Sequence, residues 1–275
     1  MDDFMECEGT VKSFDSVKLF FKKDLPKAPK AIIIMVHGIC EHLGRYNYVT
    51  KKFVEHGYGV YRFDNRGHGK SEGERGYVED FKHFLYDADV IVNIAKNENP
   101  NVPVFMLGHS MGGFITAGYG VMYPGKLNGQ ILSGAAVIEL PQSLELKKID
   151  YNVQPHFKVP NLLGNVICSD PNVVKEYEND PMVLKETDAK LLGEIFVEGV
   201  EWLDVNIKKY EYPCLILHGG DDKIVTNEAS KFMYKNISSK DKEIKIYEGF
   251  YHEILNETGK DGVIEDICSW IDKRI

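Results

Sequence analysis

Val104-Phe105-Met106-Leu107-Gly108-His109-Ser110-Met111-Gly112-Gly113 is the stretch whose reading decides the fold. Four apolar residues follow Pro103, a pattern that predicts a short strand buried on both faces. Gly-x-Ser-x-Gly comes next, and the residues after it can continue as a helix. In a nucleophile elbow the chain turns from strand into helix so sharply that only glycines fit beside the serine. Such a turn lifts the Ser110 oxygen out of the packed sheet and sets the next N–H, that of Met111, beside an oxyanion forming on a carbonyl under attack. With 25 glycines in 275 residues, the pentapeptide alone arises by chance in roughly one chain in ten, so its surroundings must carry the assignment.

Those surroundings alternate strand and helix patterns. Residues 7–22 alternate in polarity and turn at Phe14-Asp15-Ser16, predicting an opening hairpin. Ala31 to Val36 is a doubly buried strand, followed directly by His37-Gly38-Ile39-Cys40. A helix is expected over about residues 46–56, closed by Gly57, then a strand over residues 58–63 and a polar, glycine-rich loop over residues 64–76. Residues 80–97 have helical periodicity and stop before Pro100. Beyond the elbow, strands are expected at residues 129–133, 213–218 and 243–247, and helices at 227–237 and 261–275. The alternation predicts an α/β protein, with a mostly parallel central sheet and helices on both faces.

The alternation fails between about Ala136 and Tyr210. Short amphipathic pieces (143–149, 173–177, 189–197) are divided there by Pro141, Pro155, Pro160, Pro171 and Pro181. A compact domain rarely carries so long a connection without a purpose. We expect a helical cap at residues 136–210, inserted into a core made of residues 1–135 and 211–275; the alternative is two ordinary crossovers with an unrecognised strand between them.

Composition sets outer bounds. The chain is 43% hydrophobic and 27% charged, as in an ordinary globular protein with one large core. Its formal net charge of -9 opposes nucleic acid as a partner, and the lysines are scattered among acidic residues rather than gathered in a patch. The acidic N-terminus lacks the apolar run of a signal peptide. The longest apolar run, residues 31–36, is far too short to span a bilayer. Cys7, Cys40, Cys168, Cys214 and Cys268 are odd in number, widely spaced and never C-x-x-C, which fits reduced thiols in a cytoplasmic protein.

A serine hydroxyl is a weak nucleophile at neutral pH and needs a base, which in turn needs an orienting acid. In this architecture the chain order is Ser, then Asp or Glu, then His, with the acid just past the end of a late strand. His218-Gly219-Gly220-Asp221-Asp222-Lys223 lies at such a place. Asp222 is preferred, Asp221 being suited to a turn. His252 is the one histidine that follows, just past the last expected strand, and is the candidate base. The other histidines read as structural: His109 inside the elbow, His218 on a strand end, His37 propping its loop, and His42, His56, His83 and His156 on the surface or satisfied. The Ile39 N–H is the candidate second oxyanion donor. No H-E-x-x-H is present, so neither metal nor cofactor is expected. Residues 64–71 end like a Walker A loop, but Asp64 stands where that pattern needs glycine; the loop is expected to brace the His37 loop through Asp64, Arg66 and His68.

With these residues in place, the chain resembles α/β-hydrolases of the monoacylglycerol lipase and lysophospholipase type. The likeness rests on His37-Gly38…Glu41-His42…Gly44-Arg45-Tyr46, Asp64…Arg66-Gly67-His68-Gly69…Ser71-Glu72-Gly73, Gly108-His109-Ser110-Met111-Gly112-Gly113, Asp222, and Lys245…Tyr247-Glu248-Gly249…Tyr251-His252. It implies the α/β-hydrolase fold, with Ser110 as nucleophile, Asp222 as acid, His252 as base and the Ile39 and Met111 amides as the oxyanion hole. Two positions depart from the pattern. Cys40 stands at the second glycine of His-Gly-x-Gly-Glu-His, and Leu255 stands where the animal monoacylglycerol lipases carry a further histidine.

The expected function is hydrolysis of a carboxylic ester of a lipid, a monoacylglycerol or lysophospholipid, through an acyl-enzyme. General carboxylesterase activity on small esters and acyl transfer are the alternatives. Glu41, Arg45, Leu162 and Leu163 are candidate substrate contacts. The apolar cap residues Val159, Leu162, Leu163 and Ile167 are candidates for an acyl path or a transient membrane-surface contact.

Overall fold

The computed structural model describes residues 4–140 and 146–275. Among them, β1 (Phe4–Lys12), β2 (Lys18–Pro26), β3 (Ala31–Val36), β4 (Tyr58–Phe63), β5 (Val104–His109) and β6 (Gly129–Ser133) precede a short ribbon, β7 (Lys158–Pro160) with β8 (Glu186–Asp188). Strands β9 (Cys214–Gly219) and β10 (Lys242–Tyr247) follow. Eight strands form one sheet in the order β1-β2-β4-β3-β5-β6-β9-β10. The hairpin β1–β2 and the β2–β4 pair are antiparallel and the rest parallel.

The uninterrupted apolar runs of β3 to β6 follow from burial on both faces. Ile32, Ile34 and Val36 join Phe84, Phe114 and Leu132 on one side of the sheet. Their alternate neighbours Ala31, Ile33 and Met35 join Phe53, Ile131 and Trp270 on the other. Helices α1 (Asn47–Glu55), α2 (Lys82–Glu98) and α3 (Met111–Met122) supply part of this cover, and the helix Lys260–Asp272 brings Trp270 edge-on to Phe105. A polyalanine chain of the same shape would forgo about 1.5–3 kcal/mol for each large side chain buried here.

Chain order reverses on either side of β3, with β4 on one flank and β5 on the other. This is the switch point at which open parallel sheets form a crevice at the strands' carboxyl ends. The register aligns those ends: Val36 pairs with Gly108, His109 with Ser133, and Tyr247 with Gly219. The loops carrying Ile39, Ser110, Asp222 and His252 therefore leave the sheet along one edge.

Strands β6 and β9 are direct neighbours in the sheet, and the described residues between them lie outside it. Where the sequence suggested only helical pieces, the described part of that segment also holds extended chain. It contains the β7–β8 ribbon, the helix Pro171–Asn179, and a helical run in which Glu194–Gly199 is wound as a π-helix between Ala189–Gly193 and Val200–Asn206. Of the expected helical piece 143–149, and of Pro141, residues 141 and 143–145 lie outside the described residues. Among the described residues, no helix is long and apolar enough to cross a membrane.

Candidate active site

Ser110 sits between β5 and α3 at φ 55°, ψ -117°, a conformation that L-residues rarely adopt. The elbow is packed too tightly for side chains. A Cβ at Gly108 would lie 2.1 Å from the Gly112 carbonyl oxygen, and one at Gly112 would lie 2.1 Å from the oxygen of Val36. The turn is held by Ser110 N–H donating to Ser133 O (2.9 Å) and Phe114 N–H donating to Ser110 O (3.0 Å).

Asp222 and His252 meet across the crevice. His252 Nδ1 lies 2.6 Å from Asp222 Oδ2, while Asp222 Oδ1 accepts the N–H groups of Ile224 (2.8 Å) and Val225 (3.0 Å). Asp221 is exposed and takes no part in this pairing. Burial alone would raise the Asp222 pKa, but the charge of His252 and hydrogen bonds from His218 and His252 hold it well below the usual carboxylate range. Burial likewise disfavours a charged His252. The Asp222 carboxylate outweighs it, with Glu253 and Glu41 adding to its field, so the His252 pKa stands above its ordinary 6.5. The His252 ring packs 4.6 Å from that of His109, the residue before Ser110. Burial and the charge of His252 push His109 down to about 3, so it stays neutral. Among the described residues the imidazole is joined to Asp222 by a hydrogen bond and not yet to the Ser110 hydroxyl, a contact that in enzymes of this kind tightens when substrate binds.

The loop after β3 completes the site. Ile39 lines the pocket above Ser110. Among the described residues, neither the Ile39 nor the Met111 N–H donates to a protein acceptor. Cys40 occupies φ 65° where the resemblance calls for glycine, and its carbonyl accepts the N–H of Leu184 at 2.8 Å. His37 Nε2 accepts the Asn65 N–H at 2.9 Å, which leaves the proton on Nδ1 facing Gly38 O at 2.7 Å. Burial lowers the His37 pKa to about 4, so it props the loop as a neutral ring.

Three expectations need correction. Glu41 and Arg45 do not line the pocket above Ser110. The buried Glu41 carboxylate accepts the Gly38 N–H (2.6 Å) and the Tyr46 hydroxyl (2.7 Å) and pairs with Arg45 (3.1 Å), whose other nitrogen reaches Glu253 Oε2 at 2.8 Å. They brace the loop from beneath. Arg66 turns away from the His37 loop toward Asp87 (2.7 Å) and Asp15 (2.8 Å); Asp64 does brace the region, through Leu43 N–H at 2.8 Å. His218 is more than a strand end. Fully buried, it points Nε2 at Asp222 Oδ2 from 3.1 Å, and the one signal in the sequence was its place four residues ahead of the acid.

Above Ser110 opens a pocket of about 600 Å³ with predominantly apolar walls. Ile39, Leu140, Leu163, Val166, Leu192 and Phe196 contribute to them. Leu162 also lines it and is 83% exposed. The segment between β6 and β9 is tied to the loops after β3 and β10: Leu184 N–H donates to Cys40 O, and Glu253 N–H donates to Ile167 O at 2.7 Å. Beside the pocket-lining Lys158 and Thr187, His156, Glu74 and Asp188 draw together, with Lys158 Nζ 2.8 Å from Asp188 supplying positive charge there.

Fold and site together define a serine hydrolase of the α/β-hydrolase class. A family model described as serine aminopeptidase, S33, matches residues 27–259, and the chain belongs to that family. It is 34% identical over 247 residues to a monoacylglycerol lipase from Mycolicibacterium smegmatis, covering 88% of either chain. The crystal structure of Paleococcus ferrophilus monoacylglycerol lipase superposes with a TM-score of 0.84 at 28% identity, covering 94% of this chain and 99% of that one. A soluble variant of Saccharomyces cerevisiae monoglyceride lipase, solved with a substrate analogue, gives 0.87 at 26% identity over 97% and 94%.

Proposed function

We propose that the protein hydrolyses carboxylic esters of single-chain lipids, monoacylglycerols or lysophospholipids, through an acyl-enzyme. The reading is carried by one observation: the His252 ring, 2.6 Å from Asp222, packs 4.6 Å from the ring of His109 next to Ser110, and Ser110 itself lines a large apolar pocket. With Nδ1–H committed to Asp222, the Nε2 lone pair of His252 is left to take the Ser110 proton. The Ser110 oxygen attacks the ester carbonyl, and the N–H groups of Ile39 and Met111 receive the oxyanion. His252 then protonates the departing alcohol, and water repeats the sequence to release the fatty acid.

Residues 136–210 act as a cap that shelters the acyl chain, with Leu163, Val166, Leu192 and Phe196 along its path. Exposed Val153, Phe157 and Leu162 on this segment offer a transient contact with a membrane or micelle surface, from which such a substrate must be drawn. The relatives' activity on monoacylglycerols supports this substrate class, and the pocket volume lies in the range of about 300–1,000 Å³ usual for small-molecule sites.

The test is a panel of monoacylglycerols, lysophospholipids, short p-nitrophenyl esters and aminoacyl amides, with and without competing alcohols, and Ser110→Ala as the blank. Long single-chain esters should be cleaved fastest, with no turnover by the alanine variant. Faster cleavage of amides, or undiminished ester turnover without the hydroxyl, overturns the reading.

A further inference from the structure

His218 lies at the end of β9, fully buried, with every ring nitrogen engaged. Its Nε2 is 2.7 Å from the carbonyl oxygen of Val225 and 3.1 Å from Asp222 Oδ2. Both neighbours are acceptors, so Nε2 carries the proton. Nδ1 then accepts the Ser230 hydroxyl at 2.7 Å. The same Asp222 oxygen takes the Nδ1–H of His252 at 2.6 Å. Two imidazoles thus share one carboxylate oxygen, while the other oxygen is filled by the Ile224 and Val225 amides. Val225 closes the ring, giving its N–H to Asp222 and its carbonyl to His218.

We propose that His218 is a positioning residue acting through Asp222: its Nε2–H fixes the carboxylate's orientation and withdraws part of the negative charge that Asp222 presents to His252. The proposal rests on the reading of Asp222 and His252 as acid and base. A donor on the shared oxygen stabilises the anion and makes it a weaker partner for the imidazolium. His218 therefore tempers the basicity of His252 instead of adding to it. The other groups facing His252 are Glu253 on its own loop, Glu41 from the loop after β3, and neutral His109 at the end of β5. Facing His218 are Asp222 and the Ser230 hydroxyl.

The experiment compares kcat/KM against pH for the full chain carrying His218→Leu, His218→Asn or His218→Gln. Leucine removes the donor. Asparagine places its amide at the Nδ1 position, near Ser230, and also loses the Nε2 donor. Glutamine restores a donor near Nε2. Leu and Asn should lower kcat about tenfold, as befits the loss of a hydrogen bond to a charged group, and should move the acid limb upward by about half a pH unit. Gln should bring the limb back to its wild-type position. An acid limb that stays put in all three variants, whatever their kcat, overturns the proposal, as does a downward shift in Leu or Asn. Should the Leu variant fail to fold, the Asn and Gln pair gives the same answer. Inactive wild-type protein would instead refute the ester hydrolase reading itself, so the two failures are distinct.

Discussion

Two buried carboxylates flank Ser110, and they use one device for opposite ends. Glu41, on the loop after β3, accepts a backbone N–H and the Tyr46 hydroxyl and pairs with the guanidinium of Arg45. Asp222, on the loop after β9, accepts two backbone N–H groups and pairs with an imidazole. Arg45 keeps its charge throughout the accessible pH range, burial notwithstanding, because Glu253 and Glu41 surround it. Its pairing with Glu41 is permanent and serves as scaffolding. An imidazole can give up and take back a proton where a guanidinium cannot, so on the proposed mechanism the same grip on a carboxylate becomes chemistry at His252. The difference lies in the partner and not in the acid.

Removing each charge in turn tests that contrast. Asp222→Asn should lower kcat by about 10⁴ with little loss of stability, because the amide favours the wrong tautomer of His252; kinetics alongside a thermal melt will check it. Glu41→Gln should cost about 10- to 100-fold in kcat, since the Gly38 N–H and Arg45 loosen and the Ile39 amide loses its setting without being removed. It should keep the form of the pH profile of kcat/KM and move its acid limb slightly downward, because Glu41 adds to the field that raises the His252 pKa. A Glu41 effect as large as that at Asp222, or one that abolishes the acid limb, would erase the distinction.

The pH dependence follows with a definite sign. On the proposed mechanism the working base is neutral His252, and its pKa is raised above 6.5. The rate should therefore rise with pH, about tenfold per unit below an inflection that lies above 6.5, and level off beyond it. The residual activity of Asp222→Asn should titrate at lower pH than wild type. The smallest effect is expected at Cys40. The strain of its positive φ, about 1–2 kcal/mol, offsets the entropic cost of glycine, so Cys40→Gly should shift the melting temperature by no more than about 3 °C. Cys40→Ala keeps the strain and loses the packing, and should melt lower than the glycine variant.

The parts of this protein visible in its sequence are those whose cause is local. Doubly buried strands need unbroken apolar runs, and the elbow needs glycine at 108 and 112 because backbone oxygens crowd both sites. Ser110, Asp222 and His252 could be picked out because Ser110 follows β5 directly and the other two stand in the loops after β9 and β10. What escaped reading depends on partners far away. Glu41 and Arg45 looked like substrate contacts until Glu253, more than 200 positions later, was seen to complete their pairing. His218 had no evident role until the chain folded back over Asp222. The sequence pattern likewise does not announce the π-helix Glu194–Gly199, whose last residue sits where a Cβ would meet the distant Phe114 ring at 2.4 Å. Prolines announced the interruption of the sheet pattern but held no trace of the three-residue strands β7 and β8.

The hydrogen bonds from Leu184 to Cys40 and from Glu253 to Ile167 carry a lesson for anyone recombining such proteins. The stretch between β6 and β9 looks like an exchangeable module, yet it grips both the loop of Ile39 and Cys40, proposed to receive the oxyanion, and the loop of His252, proposed as the base. A chimera bearing a relative's roof would thus inherit altered turnover along with altered selectivity, and the two traits would have to be bred together.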